Sequence, residues 1–206
     1  RMALTKVIGN GLGTLGDGTA NDTKIVFDGN AQDYHIGLDD SADTLVIGKG
    51  SALGTTTSMS FDENGIVTKP LQPAFLVRGT QQNNIANGTT LQFGTEIFDQ
   101  NSDFASNAFT APVTGRYQLS FSIRFVELDS AATFYIFRLE TSNTNYNPIF
   151  SGNIFPSDVT YYSHEFTILA DMDANDTASV VFIQSGGTAQ TDNDASNAFF
   201  SGHLVC

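Results

Sequence analysis

Three aspartates in one predicted turn have a spacing that could hold a metal ion. Asp171, Asp173 and Asp176 lie within six consecutive residues, and Ca²⁺ binds about six to eight oxygens, often including several carboxylates. Asp and Asn are also frequent in turns without any ion, because their side chains hydrogen-bond the local backbone. The spacing therefore allows a calcium site, and a purely structural acidic turn is the simpler interpretation.

The residues that most often carry catalysis do not form a catalytic pattern. The sequence contains no Gly-x-Ser-x-Gly elbow, no His-Glu-x-x-His pair and no phosphate-binding loop. His164 and Glu165 are adjacent in a predicted strand, so their side chains point to opposite faces. A polysaccharide depolymerase would need paired carboxylates across a groove, whereas the spaced acids here lie in predicted turns. We therefore expect a protein that is not an enzyme and has no cofactor other than the possible calcium.

Composition excludes several classes of protein. The chain has 206 residues, 40% of them hydrophobic, with a net charge of -13. The apolar content is sufficient for a folded core, and the negative charge argues against binding to nucleic acid or anionic membranes. No apolar run approaches the ~20 residues of a membrane span, so we expect no membrane insertion. The one cysteine, Cys206, rules out an intrachain disulfide.

Two regions of the chain differ sharply in composition. All four lysines lie within the first 69 residues, whereas 15 of the 17 phenylalanines lie between Phe75 and Phe200. The segment Lys69–Pro73 contains two prolines, which favour an extended, non-helical joint. The sequence therefore predicts two domains, a β-rich stem at residues 1–70 and a Phe-rich knob at residues 71–206.

The predicted stem consists of short strands separated by Gly and Asp turns. Each strand has only two or three apolar residues, so a single chain would leave this apolar surface in water, and we expect several copies to associate. Residues 1–20, rich in Gly, Thr, Asn and Asp, are predicted to form a flexible arm. The predicted strands are 24–27, 34–38, 44–48, 59–61 and 66–68.

The knob is predicted to be all-β, a jelly-roll sandwich of about eight to ten strands. Apolar and polar residues alternate from Arg116 to Phe125, which indicates a strand with one face in the core. The polar face carries little charge in its middle, so we predict that it contacts a second subunit. The strand candidates are Ala74–Arg78, Leu91–Phe98, Tyr117–Leu128, Thr133–Glu140, Ile149–Phe155, Thr160–Leu169, Ala178–Gln184 and Ala198–Cys206; the predicted contact residues are Arg116, Gln118, Ser120, Ser122 and Arg124.

The knob resembles the globular head of complement component one q. The stretch Phe109–Tyr117 reads FTAPVTGRY, similar to the FTAPVxGxY pattern of that family, and Gly115-x-Tyr117-x-Leu119-x-Phe121 continues it. Phe200–Leu204 is similar to the family's last strand and Pro73–Phe75 to its first. The spacing from Phe104 to Phe109 is two residues shorter than usual, and Leu119 stands where a Phe is usual. No collagen-like repeat precedes the head, so complement activation is not implied.

The resemblance implies a homotrimeric jelly roll of the type shared with tumour necrosis factor. In that arrangement the last strand belongs to the sheet that faces the threefold axis. If Phe200 faces the core, His203 faces a neighbouring subunit, where three copies could cluster and repel one another when protonated. A single hydrogen-bonded interface histidine is the simpler interpretation.

The stem resembles segments of bacteriophage tail fibres, over Asp22–Lys69. A fibre-like stem ending in a jelly-roll knob favours a virion protein, the distal part of a tail fibre that binds a host-cell receptor, either a glycan or an outer-membrane protein. A purely structural trimerisation or decoration knob and a secreted adhesin on a bacterial surface are the alternatives.

Receptor contacts are expected in loops between rigid strands. The candidate loops are Ser142–Asn147, Ser157–Tyr162 and Ser185–Asn197, whose polar and tyrosine side chains suit hydrogen bonding and stacking on sugars. The individual candidates are Asn143, Asn145, Tyr146, Tyr161, Tyr162, Asp192 and Asp194.

Overall fold

The computed structural model describes residues 15, 16 and 18–206, and these form almost entirely antiparallel β-structure. The chain divides into two compact units, Arg1–Leu71 and Gln72–Cys206, hereafter the stem unit and the knob unit. Most of the predicted flexible arm, residues 1–14 and 17, lies outside the described residues. Among the described residues, no helix is long and apolar enough to cross a bilayer.

The stem unit contains one five-stranded sheet in which each strand pairs with the next along the chain. Tight turns connect the strands: at the last one, the Asp62 carboxylate accepts the backbone N–H groups of Asn64 and Ile66, and Gly65 supplies the positive φ of 78°. The strands are β1 (Thr23–Phe27), β2 (Tyr34–Asp39), β3 (Thr44–Lys49), β4 (Thr57–Phe61) and β5 (Val67–Thr68).

The knob unit is a sandwich of two antiparallel sheets, as the sequence predicts. Its strands are β6 (Ala74–Arg78), β7 (Thr89–Thr90), β8 (Thr95–Asp99), β9 (Phe104–Ala105), β10 (Ala108–Thr110), β11 (Gly115–Leu128), β12 (Phe134–Thr141), β13 (Asn145–Tyr146), β14 (Ile149–Phe150), β15 (Val159–Met172), β16 (Thr177–Ser185) and β17 (Asp192–Leu204). The "β11 sheet" has the order β15-β11-β17-β6-β8. The "β12 sheet" has the order β13-β12-β16-β10-β9, with β14 on β12 and β7 on β16.

Phenylalanine dominates the core between the two sheets. The rings of Phe75 and Phe109 stack with centroids 4.7 Å apart, and those of Phe125 and Phe137 with centroids 4.0 Å apart, within or just below the usual range of aromatic pairs. The alternation predicted for β11 holds in the structure. Its inward side chains, Tyr117, Leu119, Phe121, Ile123 and Phe125, are all fully buried.

Two irregularities interrupt the pairing of β11. Glu127 has a φ of 58° and is skipped in the register with β15, so that Leu128, not Glu127, faces the core. On the other side, Ile123 pairs with Ala198 but Phe125 pairs with Asn193. Residues 194–197 of β17 therefore bulge out of the sheet.

Several strand boundaries differ from those predicted. Of the predicted strand Leu91–Phe98, only residues 95–98 lie in a strand, β8, and residues 91–94 connect β7 to it. The predicted strand Ile149–Phe155 ends at Phe150 before a short 3-10 helix, Gly152–Ile154. The last strand begins at Asp192, six residues before the prediction. Its polar start still pairs, because buried Asn193 accepts the N–H of Gln82 and donates to the carbonyl of Thr80.

One titratable side chain lies among the aromatic rings. His164 on β15 is partly buried, with ring centroids 5.0 Å from Phe137, 5.9 Å from Phe150 and 6.0 Å from Phe121. Its Nε2 atom is buried without a hydrogen-bond partner among the described residues. This burial lowers the pKa of His164 because it penalises the charged ring, and neighbouring Glu165 opposes the shift only in part.

We predict that His164 makes the knob unit less stable at mildly acidic pH. Above the pKa of an unfolded histidine, ~6.5, the ring is neutral in both states. As the pH falls below that value, the unfolded chain binds the proton more readily than the folded chain, and the free energy of unfolding decreases until the lower folded pKa is reached. Denaturant unfolding at pH 7.5 and 5.5 should show a smaller decrease for His164→Phe than for the unmodified chain.

The exposed histidine of the same unit provides the control. His203→Phe, compared at a concentration where both proteins are monomeric, should keep the full decrease, because His203 lies outside the ring cluster around His164. Equal decreases in His164→Phe and in the unmodified chain would show that this ring does not contribute to the pH dependence.

Candidate interaction surfaces

The outward face of the β11 sheet brings the predicted subunit contacts together. The register pairs Gln118 with His203 and Ser120 with Ser201, so these side chains share one face of the sheet. We call this the "outer face". All six predicted contact residues lie on it: Arg116, Gln118, Ser120, Ser122, Arg124 and His203.

The outer face carries small polar side chains and one carboxylate, Glu165, which lies opposite Ser122 and accepts its hydroxyl hydrogen bond, with apolar side chains beside them. The hydroxyls of Ser120 and Thr167 are 2.7 Å apart across the β11–β15 pair. Leu169 next to Gln118 remains 53% exposed, and Phe98 on edge strand β8 remains 49% exposed. The face thus combines small polar groups with accessible apolar area.

The two predicted contact arginines, Arg116 and Arg124, are already paired within the chain, whereas a third arginine, Arg78, also lies on the outer face. Arg116 forms a salt bridge with Asp171 on the neighbouring strand. Arg124 Nε donates to Asp194 Oδ2 at 2.9 Å, and its guanidinium lies 5.3 Å from the ring centre of Tyr161. The hydrogen bond from Arg124 lowers the pKa of Asp194, although partial burial acts in the opposite direction. The pairing neutralises these two arginines.

The predicted calcium ligands do not converge. Besides the pair of Asp171 with Arg116, Asp176 Oδ2 accepts hydrogen bonds from Asn143 Nδ2 at 2.7 Å and from the backbone N–H of Asp173 at 2.8 Å. Within residues 15, 16 and 18–206, no group of three or more His, Cys, Asp or Glu side chains could hold a metal ion. These carboxylates stabilise the turn and its neighbours instead.

Two of the three predicted receptor loops meet in one cleft. Gln190 Nε2 donates to Asp158 Oδ2 at 2.9 Å and ties the second loop to the third. Hydrogen bonds from the Ser130 backbone N–H, from the Gln190 amide and from the Ser130 hydroxyl lower the pKa of Asp158. The cleft has a volume of about 360 Å³. It is lined by Glu127, Asp158, Val159, Thr160 and Gln190.

Tyr161 and Tyr162 lie in strand β15, as the strand candidate Thr160–Leu169 predicts, and not in the overlapping loop candidate Ser157–Tyr162. Tyr161 points outward and is 63% exposed, whereas Tyr162 points inward, with its ring centroid 4.8 Å from that of Phe150. Tyr162 therefore belongs to the edge of the core. The loop prediction failed here because β15 continues as far as Val159 by pairing with the end of β11.

Four other predicted loop residues also lie in strands. Asn145 and Tyr146 form β13, and Tyr146 packs against the core. Asp192 and Asp194 belong to β17, where the Asp192 carboxylate accepts the N–H of Asn84 at 2.6 Å. Asn143 lies outside any strand, but its amide already donates a hydrogen bond to Asp176 in the acidic turn. The polar composition of these segments predicts loops, but their residues pair with neighbouring strands and therefore form strands.

Sequence analysis missed Glu127 as part of the cleft and did not single out Gln190. Glu127 points into the cleft region because of its positive φ, which is uncommon for a residue other than Gly, Asn or Asp. No residue type in the sequence signals this conformation. Gln190 lies within a predicted loop but has no distinctive neighbours.

Comparisons with known proteins support the fold alone. No family model matches the chain, and no curated protein matches it. Among solved structures, the globular domain of zebrafish complement 1qA protein matches with a TM-score of 0.51 and 19% identity, over 66% of this chain and 98% of that one. A crystal structure of murine APRIL matches with a TM-score of 0.46 and 10% identity, over 65% and 99%. The chain therefore contains a jelly roll of the complement-head type.

Proposed function

We propose that the knob unit is the receptor-binding end of a virion fibre, a phage tail fibre, and that it acts as a homotrimer without catalysis. The observation that carries the proposal is the polar cleft where the loops containing Asp158 and Gln190 meet. Sites formed by loops on a rigid β-scaffold are the usual location of recognition. The stem unit supports the fibre assignment through the resemblance of its sequence to tail-fibre segments.

The cleft chemistry suits a polyhydroxylated ligand, which is the chemistry of a surface glycan. It presents the carboxylates of Glu127 and Asp158, the hydroxyl of Thr160 and the amide of Gln190, a mixture of acceptors and donors for sugar hydroxyls. A weak site of this kind gains avidity when three copies are held on one particle.

The charge of the knob favours specific over non-specific contact. Residues 71–206 contain 4 bases and 13 acids, a net charge of -9. That excess repels the anionic surfaces of cells in general. Binding would then depend on the geometry of the cleft.

The outer face supports the trimer. It is a sheet surface with paired arginines, small hydroxyl side chains and exposed Leu169 and Phe98. Interface cores are depleted in charged residues and contain well-packed apolar groups. The face therefore fits a subunit contact better than a freely solvated surface.

Filling the cleft should abolish receptor binding. We predict that Thr160→Arg in the full chain lowers adsorption to host cells by about tenfold or more, because the long side chain occupies the space between Asp158 and Gln190. Adsorption of labelled protein is measured on a panel of candidate cells, with glycans isolated from the binding cells as competitors.

The matched control places the same side chain in the first candidate loop, Ser142–Asn147, which does not line the cleft. Thr144→Arg is also exposed and should leave adsorption unchanged. If Thr160→Arg adsorbs as well as the unmodified protein, the cleft is not the binding site. If virions carrying the Thr160→Arg protein also infect normally, the knob is structural.

A charge introduced at the centre of the outer face should break the trimer. We predict that Ser120→Arg raises the dissociation constant at least about tenfold, because three guanidinium groups would have to be desolvated at one interface. Sedimentation equilibrium over a concentration series measures the effect.

Ser179→Arg is the matched control on the opposite sheet. Ser179 is also partly buried, and it pairs with Glu140 on the outward face of β12 and β16. It should leave association unchanged. Equal dissociation constants for both variants would contradict the outer face as the contact.

A further inference from the structure

One face of the stem sheet is a continuous apolar surface. The register aligns side chains of four or five neighbouring strands in rows that point to the same side. We call this surface the "stem face". Its first row is Ile25, Ile36, Ile47 and Met59; its second row is Leu38, Leu45, Phe61 and Val67; Phe27 and Tyr34 begin a third.

The described residues leave most of the stem face open to solvent. Seven of its ten side chains have between 37% and 58% of their surface exposed. The first two rows contain no charged residue, and Lys49 stands at the end of the third. A sheet with one apolar face normally buries that face against another layer.

The centre of the other face, on β2 and β3, is covered by the chain itself, whereas Val26 on β1 remains 37% exposed. Val46 is 2% exposed and His35 is 1% exposed. His35 Nδ1 lies 2.8 Å from the carbonyl oxygen of Gly50, and Gly48 leaves room for the imidazole, because a Cβ there would lie 2.5 Å from Nε2. The connection after β3 therefore covers the centre of this face, whereas the described residues leave the stem face without such a cover.

We propose that the stem face of one chain is covered by the stem face of a second copy of this chain. A whole large aromatic side chain covers about 150–250 Å². With about half of each surface exposed, the seven side chains together present on the order of 600 Å² of apolar surface. The largest apolar patch on a typical monomer is about 300–600 Å², and a standard interface buries about 800 Å² per partner. The stem face is thus large enough to supply most of a stable interface.

Charge favours a copy of the same chain over other occupants. Residues 1–69 contain 5 bases and 9 acids, a net charge of -4, and the turn that follows β2 contains Asp39, Asp40 and Asp43. These acids oppose docking on an anionic lipid surface. A second copy presents an apolar, uncharged surface of the same size, and two such sheets pack face to face at about 10 Å.

The test compares cysteines placed on the two faces of the stem sheet in the full chain. Ile47 on the stem face and Val26 on the other face are both 37% exposed, so in an isolated chain the two positions should react at similar rates. In a Cys206→Ser background, Ile47→Cys should react with a maleimide about tenfold or more slowly than Val26→Cys at concentrations where the chain associates, because an interface core excludes solvent. A short bismaleimide should cross-link two chains through Ile47→Cys only. Ile25→Cys repeats the test if the first variant does not fold.

Each outcome decides the proposal. Slow labelling that is lost when the chain is diluted to the monomer supports it. Equal labelling of both cysteines in an associated sample overturns it, and leaves the knob contact as the cause of association. Slow labelling that persists in the monomer also overturns it, because the cover is then part of the same chain. The proposal does not rest on receptor binding, which the cell-adsorption measurement tests separately.

Discussion

The knob depends on the two-residue alternation of one long strand. The 14 residues of β11 pair with β15 on one side and β17 on the other, and a shift of one residue would exchange their two faces. Five fully buried side chains from Tyr117 to Phe125 fix the register, because exposing them would cost the burial free energy of about 1.5–3 kcal/mol for each large apolar side chain. The same register places the hydroxyls and paired arginines on the outside. The register of β11 therefore determines both which side chains form the core and which form the proposed subunit contact.

Departures from that alternation produce the specific features of the surface. At Glu127 the pairing of β11 with β15 is interrupted without a change of register, and Glu127 becomes one wall of the cleft. The bulge at residues 194–197 brings Asp194 to Arg124 and leaves no free guanidinium at that point of the outer face. Bulges are common where a sheet must redirect a side chain at an edge or a site. In the knob, the two irregularities separate the outer face, which we assign to assembly, from the cleft, which we assign to binding.

The fold was predictable from the sequence, and the site was predictable only in part. Alternating apolar residues indicate a β-sandwich because core burial in a strand is periodic, and the FTAPVTGRY stretch indicates the jelly roll through its resemblance to the complement head. The predicted loops at 157–162 and 185–197 do meet at Asp158 and Gln190. Tyr161, Tyr162, Asp192 and Asp194 lie in strands, because β11 provides pairing partners that polar composition does not reveal. The calcium hypothesis stays a prediction, but the three aspartates do not converge in the described residues, and spacing cannot show that Arg116 and Asn143 already engage Asp171 and Asp176.

Each unit exposes one face of a sheet to solvent, and we propose that contacts with other copies of the chain cover both faces. In the knob the exposed face is mixed polar and apolar, and in the stem it is apolar across neighbouring strands. The central claim is that the chain assembles through the outer face of the β11 sheet. Sedimentation equilibrium of the unmodified chain at micromolar concentration tests it most directly. The account predicts three times the chain mass of 22.1 kDa, or six times that mass where the stem faces of two trimers also pair, and a stable monomer of 22.1 kDa would contradict it.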